Sequence, residues 1–148
     1  ILAFALGFAF GIPTLMLLLK EMATLGAMLW LFSTRDLTLE FAAWLSVHGT
    51  TELFAILLAG AAGLHVGRAM AFPGDRSILA ATAAAGRRAA TVMAGVVLML
   101  IVAALLEAFP RQLVGETWER LLIGGAMLAG WLAYFFAFRR LPAGDTSQ

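Results

Sequence analysis

The sequence predicts an all-α protein, a polytopic transmembrane helix bundle of about four spans plus a short interfacial or re-entrant helix. Three observations carry this expectation. The 148 residues are 62% hydrophobic and only 13% charged, where a soluble domain is about half apolar and about a quarter charged. The charges are also bunched: Ile1–Leu19, Ala89–Leu106 and Leu121–Phe138 contain no Asp, Glu, Lys, Arg or His. Finally, an α-helix rises about 1.5 Å per residue, so each run covers roughly 27 Å, close to a ~30 Å hydrocarbon core.

The spans are expected at about residues 1–19, 44–67, 89–109 and 121–138, with a polar tail at 141–148. The first is closed by Lys20 and Glu21 and should kink at Pro13, with Thr14 able to bond a carbonyl that the proline frees. Met22–Phe32 is apolar but too short to cross, and reads as the interfacial or re-entrant helix, with Trp30 near the headgroups. The second span is interrupted by His48, Glu52 and His65. Pro73-Gly74-Asp75 marks a turn, and the Ala-rich stretch after it extends the third helix beyond the membrane. Pro110 stops the third span. Trp118, Trp131, Tyr134, Phe135 and Phe136 read as interfacial belt and lipid-facing residues. The chain starts at Ile1 inside an apolar run, so 1–148 is expected to be a single transmembrane domain and the C-terminal part of a longer protein.

Several classes are excluded or disfavoured. The net charge is +1 and no basic stripe interleaves with aromatics, so nucleic acid is not an expected partner. Without cysteine there are no disulfides or thiolate metal sites. No Ser/His/Asp set, phosphate loop or paired-Asp motif occurs, so neither an enzyme nor a cofactor is expected. The orientation rule counts Lys and Arg. Arg68, Arg76, Arg87, Arg88, Arg139 and Arg140 lie on one side, and Lys20, Arg35, Arg111 and Arg120 on the other. That bias puts both ends in the cytoplasm.

The polar residues inside the spans are the candidate site. His48 and Glu52 are four apart, one turn along one helix face. Glu107 lies near the outer end of the third span, at a similar depth, on a ladder with Gly95, Met99 and Ala103. One reading is that His48, Glu52 and Glu107 pair with one another and lock helix packing. The other is a functional site for a proton or substrate. A metal is not expected, because two acids and one His at this spacing are not a zinc signature. Below His48 and Glu52, the residues Ala55, Ala59, Gly63 and Gly67 form a small-residue stripe suited to helix packing. Gly7 and Gly11 make a GxxxG pair that allows close backbone approach.

From His48 onward the chain resembles a known family. His48-Gly49-Thr50-Thr51-Glu52-Leu53-Phe54-Ala55-Ile56, followed by Gly60-Ala61-Ala62-Gly63-Leu64-His65-Val66-Gly67, is similar to the HGxxELxAI and GxxGLxxG segments of the stage II sporulation protein M family. Ala103 to Phe109 resembles its AAxxEAF-like segment, and Gly7, Gly11 and Thr14 fit the glycine-rich span that precedes the His-Gly pair. The resemblance covers most of residues 1–110. Val47 stands where the family often has Pro, and Met22-Ala23 where it has Asn-Gly. The resemblance implies a polytopic membrane architecture and importance for His48, Glu52 and Glu107. In spore formers the family's namesake belongs to the engulfment machinery and acts with peptidoglycan-degrading partners, and homologues also occur in bacteria that do not sporulate.

The expected function is therefore a bacterial inner-membrane scaffold or subunit of a larger cell-envelope complex. Its expected partners are the lipid bilayer and further copies or other membrane and envelope proteins. The alternative is a transporter or channel subunit using the His/Glu cluster, and an intramembrane hydrolase ranks third.

Overall fold

The structure is a computed structural model that describes residues 1–8, 10–109 and 113–137. Pro110, the expected stop of the third span, and the tail at 141–148 lie outside the described residues. The described residues are predominantly helical and include no strand. A short helix α1 (Leu2–Ala5) and a 3-10 turn (Leu6–Phe8) lead into α2 (Ile12–Ser33), α3 (Thr38–Ala71), α4 (Ile78–Ala108) and α5 (Thr117–Leu132), and α5 ends in a π-turn, Ala133–Ala137. Four of these helices are long and apolar enough to cross a membrane: 22, 34 and 31 residues for α2 to α4, and 21 for α5 with its π-turn.

The first span differs from the expectation. The chain breaks at Phe10 and Gly11, both left-handed (φ 58° and 79°), and then forms one helix that continues through Lys20 and Glu21 to Ser33. Pro13 sits in the first turn of α2, where its missing N–H would have had no helical partner, so it starts a helix and does not kink one. Lys and Glu are good helix formers, and Lys20 Nζ pairs with Glu21 Oε1 at 3.0 Å, so the two charges do not end the helix. Met22–Phe32 is therefore the second half of a full-length span and not a separate interfacial helix. The short element is instead the segment at 1–8. Thr14 Oγ1 donates to the Ala3 carbonyl at 2.7 Å, a buried bond that ties α1 to α2 across the break.

The α2–α3 connection is a helix-ending motif. Leu37 N–H donates to Phe32 O and Asp36 N–H to Ser33 O, with Asp36 in the left-handed region (φ 56°), a conformation that Asp tolerates better than most residues. Phe32 then stacks on Phe41 across the turn, with ring centroids 4.3 Å apart. At the other connection Gly74 (φ 64°) makes the turn. Ser77 caps α4, its Oγ accepting from Ala80 N–H at 3.2 Å.

Helix α3 is the centre of the molecule. It packs against α1, the 3-10 turn, α2, α4 and α5, whereas α4 and α5 share no comparable contact with each other among the described residues. A helix surrounded in this way needs a narrow surface, and the buried residues of α3 include Ala43, Gly49, Thr51, Ala55, Ala59, Gly60, Ala62, Gly63 and Gly67. Ala55 and Ala59 form a core with Val96 and Met99 of α4. On the other side, Gly63 faces the backbone of Ala3 and Phe4, and Gly67 faces Gly7 O and Gly11 N. The 7/11 and 63/67 glycine pairs thus lie backbone to backbone.

A side chain at Gly63 has nowhere to go, because its Cβ would lie 2.7 Å from Ala3 O. Gly63→Leu should lower stability in detergent by about 1–3 kcal/mol, as overpacking does in a core. Gly86→Ala, which meets no atom within 4 Å, should instead gain about 0.5–1 kcal/mol from helix propensity. Thermal unfolding of both variants checks this. Equal melting points for Gly63→Leu and the parent would contradict the close contact.

Candidate functional site within the membrane

His48 lies on the buried side of α3 at 5% exposure, and its ring meets Trp44 edge-on with centroids 5.6 Å apart. Its Nδ1 is buried with no hydrogen-bond partner among the described residues. Glu52 is half-buried one turn further along and makes no hydrogen bond or ion pair with another described residue. Glu107, in the last turn of α4, is also half-buried and has an interaction partner. Helices α3 and α4 are antiparallel, with Ala55 and Ala59 against Val96 and Met99. Carrying that register about three turns along α4 brings Glu107 level with His48. Among the described residues, no three His, Asp or Glu side chains converge closely enough to hold a metal ion.

The buried face of α4 runs through Ala89, Val96, Met99 and Ala103. Gly95, expected on the same ladder as Met99 and Ala103, is exposed, and a Cβ there would meet nothing. Helix geometry explains this: Val96, Met99 and Ala103 follow a 3-4 spacing, and Gly95 falls to one side of it.

Sequence reasoning missed the polar links between α3 and α5. Thr51 is fully buried next to Glu52, and its Oγ1 accepts from Trp131 Nε1 at 3.0 Å. Ser46 Oγ lies 2.9 Å from Ala43 O and 3.2 Å from Arg120 O, so its single proton bridges its own helix to α5. Gly124 admits this approach, since a Cβ there would lie 2.5 Å from that of Ser46. Trp131 and Phe135 were expected to face lipid. They pack instead against the α3–α4 core, with Phe135 stacked on Phe54 at 6.0 Å. The reason is chemical: an indole N–H in hydrocarbon needs an acceptor, and Thr51 is the acceptor α3 offers. Trp118 and Phe136 are exposed. The available signal was the position of Thr51 four residues before Ala55 on the small-residue stripe.

The ion pair between Lys20 and Glu21 is equally unexpected in its position. Leu18 lies against Gly60, and Glu21 lines a cavity with Ala55 and Ile56. Lys20 and Glu21 are therefore at the depth where α3 carries its longest uncharged stretch. Their side chains are 69% and 39% exposed, on a helix whose apolar stretch has no buried residue.

Four apolar spans, three of them packed around the narrow central helix α3, with buried polar side chains on α3, define a polytopic α-helical membrane protein. The chain belongs to the stage II sporulation protein M family, which it matches over residues 1–110. No curated protein and no solved structure matches it.

The α3–α5 link gives a measurable expectation. Thr51→Val strands the Trp131 N–H and should cost roughly 0.6–2 kcal/mol, the range for hydrogen bonds between membrane helices. With Trp131→Phe already in place, the same change should cost much less. Additive losses in this double-mutant cycle would mean that the bond contributes nothing.

Proposed function

We propose that this protein is a non-catalytic scaffold in the bacterial inner membrane, a subunit of a larger cell-envelope assembly in which α2 is the contact helix. The observation that carries the reading is the Lys20–Glu21 pair. A charge at the centre of a membrane helix costs about 2.5–3.5 kcal/mol on insertion scales, and such groups are tolerated when they face protein. Here Lys20 is 69% exposed on a helix whose apolar stretch has no buried residue, while Glu21, 39% exposed, borders the cavity beside α3. Lys20 is about 12 Å from the start of α2 and Glu21 about 18 Å from its end, too deep for easy snorkelling. The two adjacent charges have opposite sign, so a second copy related by a two-fold axis along the membrane normal can exchange partners, Lys20 to Glu21 in both directions. Self-association is therefore the proposed mode of assembly. The proposed cell-envelope setting draws on the resemblance to the family whose namesake belongs to the engulfment machinery of spore formers.

The proposed orientation has the 72–77 connection and both ends of this segment in the cytoplasm. Placing Lys20 in mid-helix removes it from the opposite side of the charge comparison. That leaves Arg35, Arg111 and Arg120 against Arg68, Arg76, Arg87, Arg88, Arg139 and Arg140. His48, Glu52 and Glu107 act in this reading as a polar cluster within the scaffold that fixes helix positions.

Two measurements test the proposal. Crosslinking in native membranes should trap a multimer, and Lys20→Leu/Glu21→Leu should release a folded monomer. A wild-type monomer, or a multimer indifferent to both substitutions, would reject self-association through α2. For orientation, Ser77→Cys should react with an impermeant thiol reagent only after the membrane is opened, and Thr117→Cys before it. The reverse pattern would invert the topology.

A further inference from the structure

We infer that the α3–α4 end of the bundle contains a binding site for the phosphate group of an anionic phospholipid. A cavity of about 180 Å³ opens between the last turns of α3 and the first turns of α4, and His65, Arg76 and Arg88 line it together with Phe72, Ala81 and Ala85. At about 30 Å³ per water, it has room for a tetrahedral phosphodiester. Ala81 and Ala85 are buried. These small side chains leave the gap open, and longer ones would close it.

The cationic groups around the cavity have no internal counter-charge. Arg68, Arg76, Arg87 and Arg88 are exposed, and none is in an ion pair with a described residue, where the pair that forms is Lys20–Glu21. Asp75, the carboxylate of the connecting loop, is exposed and likewise unpaired among the described residues. Two guanidinium forks and an imidazole N–H thus point to an acceptor from outside the chain, and Arg matches phosphate geometry in bidentate fashion.

Depth selects the source of that phosphate. Arg88 directly precedes the uncharged run Ala89–Leu106, so the inner edge of the cavity lies at the hydrocarbon boundary and Arg76 lies further out. Lipid phosphates occupy that layer. Phe72 and Leu79 beside it are 79% and 81% exposed, and such large apolar side chains suit contact with the glycerol and upper acyl region. The charge bias that orients the chain requires only that arginines lie on this side. Their convergence on one cavity at headgroup depth goes beyond it.

The test titrates the full chain in mild detergent with short-chain phosphatidylglycerol, phosphatidylcholine or inorganic phosphate, following lipid adducts by native mass spectrometry and the melting temperature. Phosphatidylglycerol should bind selectively and raise the melting temperature. Arg76→Ala/Arg88→Ala should weaken its binding roughly 30-fold, taking about 1 kcal/mol per arginine near the surface. Arg76→Lys/Arg88→Lys should restore most of it, and Arg35→Ala, on the opposite face, should have no effect. Equal binding of the two lipids, or unchanged titration of the alanine variant, would overturn the site. Displacement of the lipid by inorganic phosphate at matched concentration would overturn its assignment to lipid.

Discussion

Gly63 and Gly67 of α3 lie against the backbone of Ala3, Phe4, Gly7, Phe10 and Gly11 so closely that no side chain fits between them. In hydrocarbon, apolar side chains gain little by leaving lipid for one another, so helices associate through close van der Waals contact and interhelical hydrogen bonds. The glycine contact supplies the first and the Thr14–Ala3 bond the second. Together they hold Phe10 in a left-handed conformation that costs a non-glycine residue roughly 1–2 kcal/mol. The break there allows Pro13 to start a helix. Where α2 starts determines where it ends, and hence the depth of Lys20 and Glu21.

The same logic governs the rest of the bundle. The packed faces of α3 are rich in Ala, Gly, Ser and Thr, and two of their polar side chains are matched to α5. Ser46 meets the Arg120 carbonyl and Thr51 meets Trp131. His48 is buried with an unpartnered Nδ1, in the same layer as Glu52 and Glu107. On α2, Thr14 is buried against Ala3, whereas Lys20 is exposed and pairs with the half-buried Glu21. An ion pair whose lysine is 69% exposed, on a helix whose apolar stretch has no buried residue, supports the proposal of assembly through α2.

Much of the architecture was legible in the sequence, because the length of uncharged runs and the bilayer thickness constrain each other tightly. The four-residue spacing of Ala55, Ala59, Gly63 and Gly67 also marks a packing surface without reference to any partner. The start of α2 was not legible. Lys20 and Glu21 look like the end of a span to any reading that assigns charges to the membrane edge, whereas the start of α2 is set by tertiary contacts at Gly7, Gly11 and Thr14. The inward turn of Trp131 was hidden for a similar reason. An aromatic near a span end satisfies the belt rule and the packed alternative equally well, and only Thr51 on another helix decides between them.

The account depends on α2 being one continuous span with residues 20 and 21 near its middle. The most direct measurement places a nitroxide in turn at each position from 12 to 33 in liposomes and compares collision with oxygen and with a water-soluble nickel chelate. The structure predicts one smooth profile, with the chelate least accessible around residues 20–24 and rising toward both ends. Strong chelate access at 20–21, with a second apolar segment lying flat at 22–32, would contradict it.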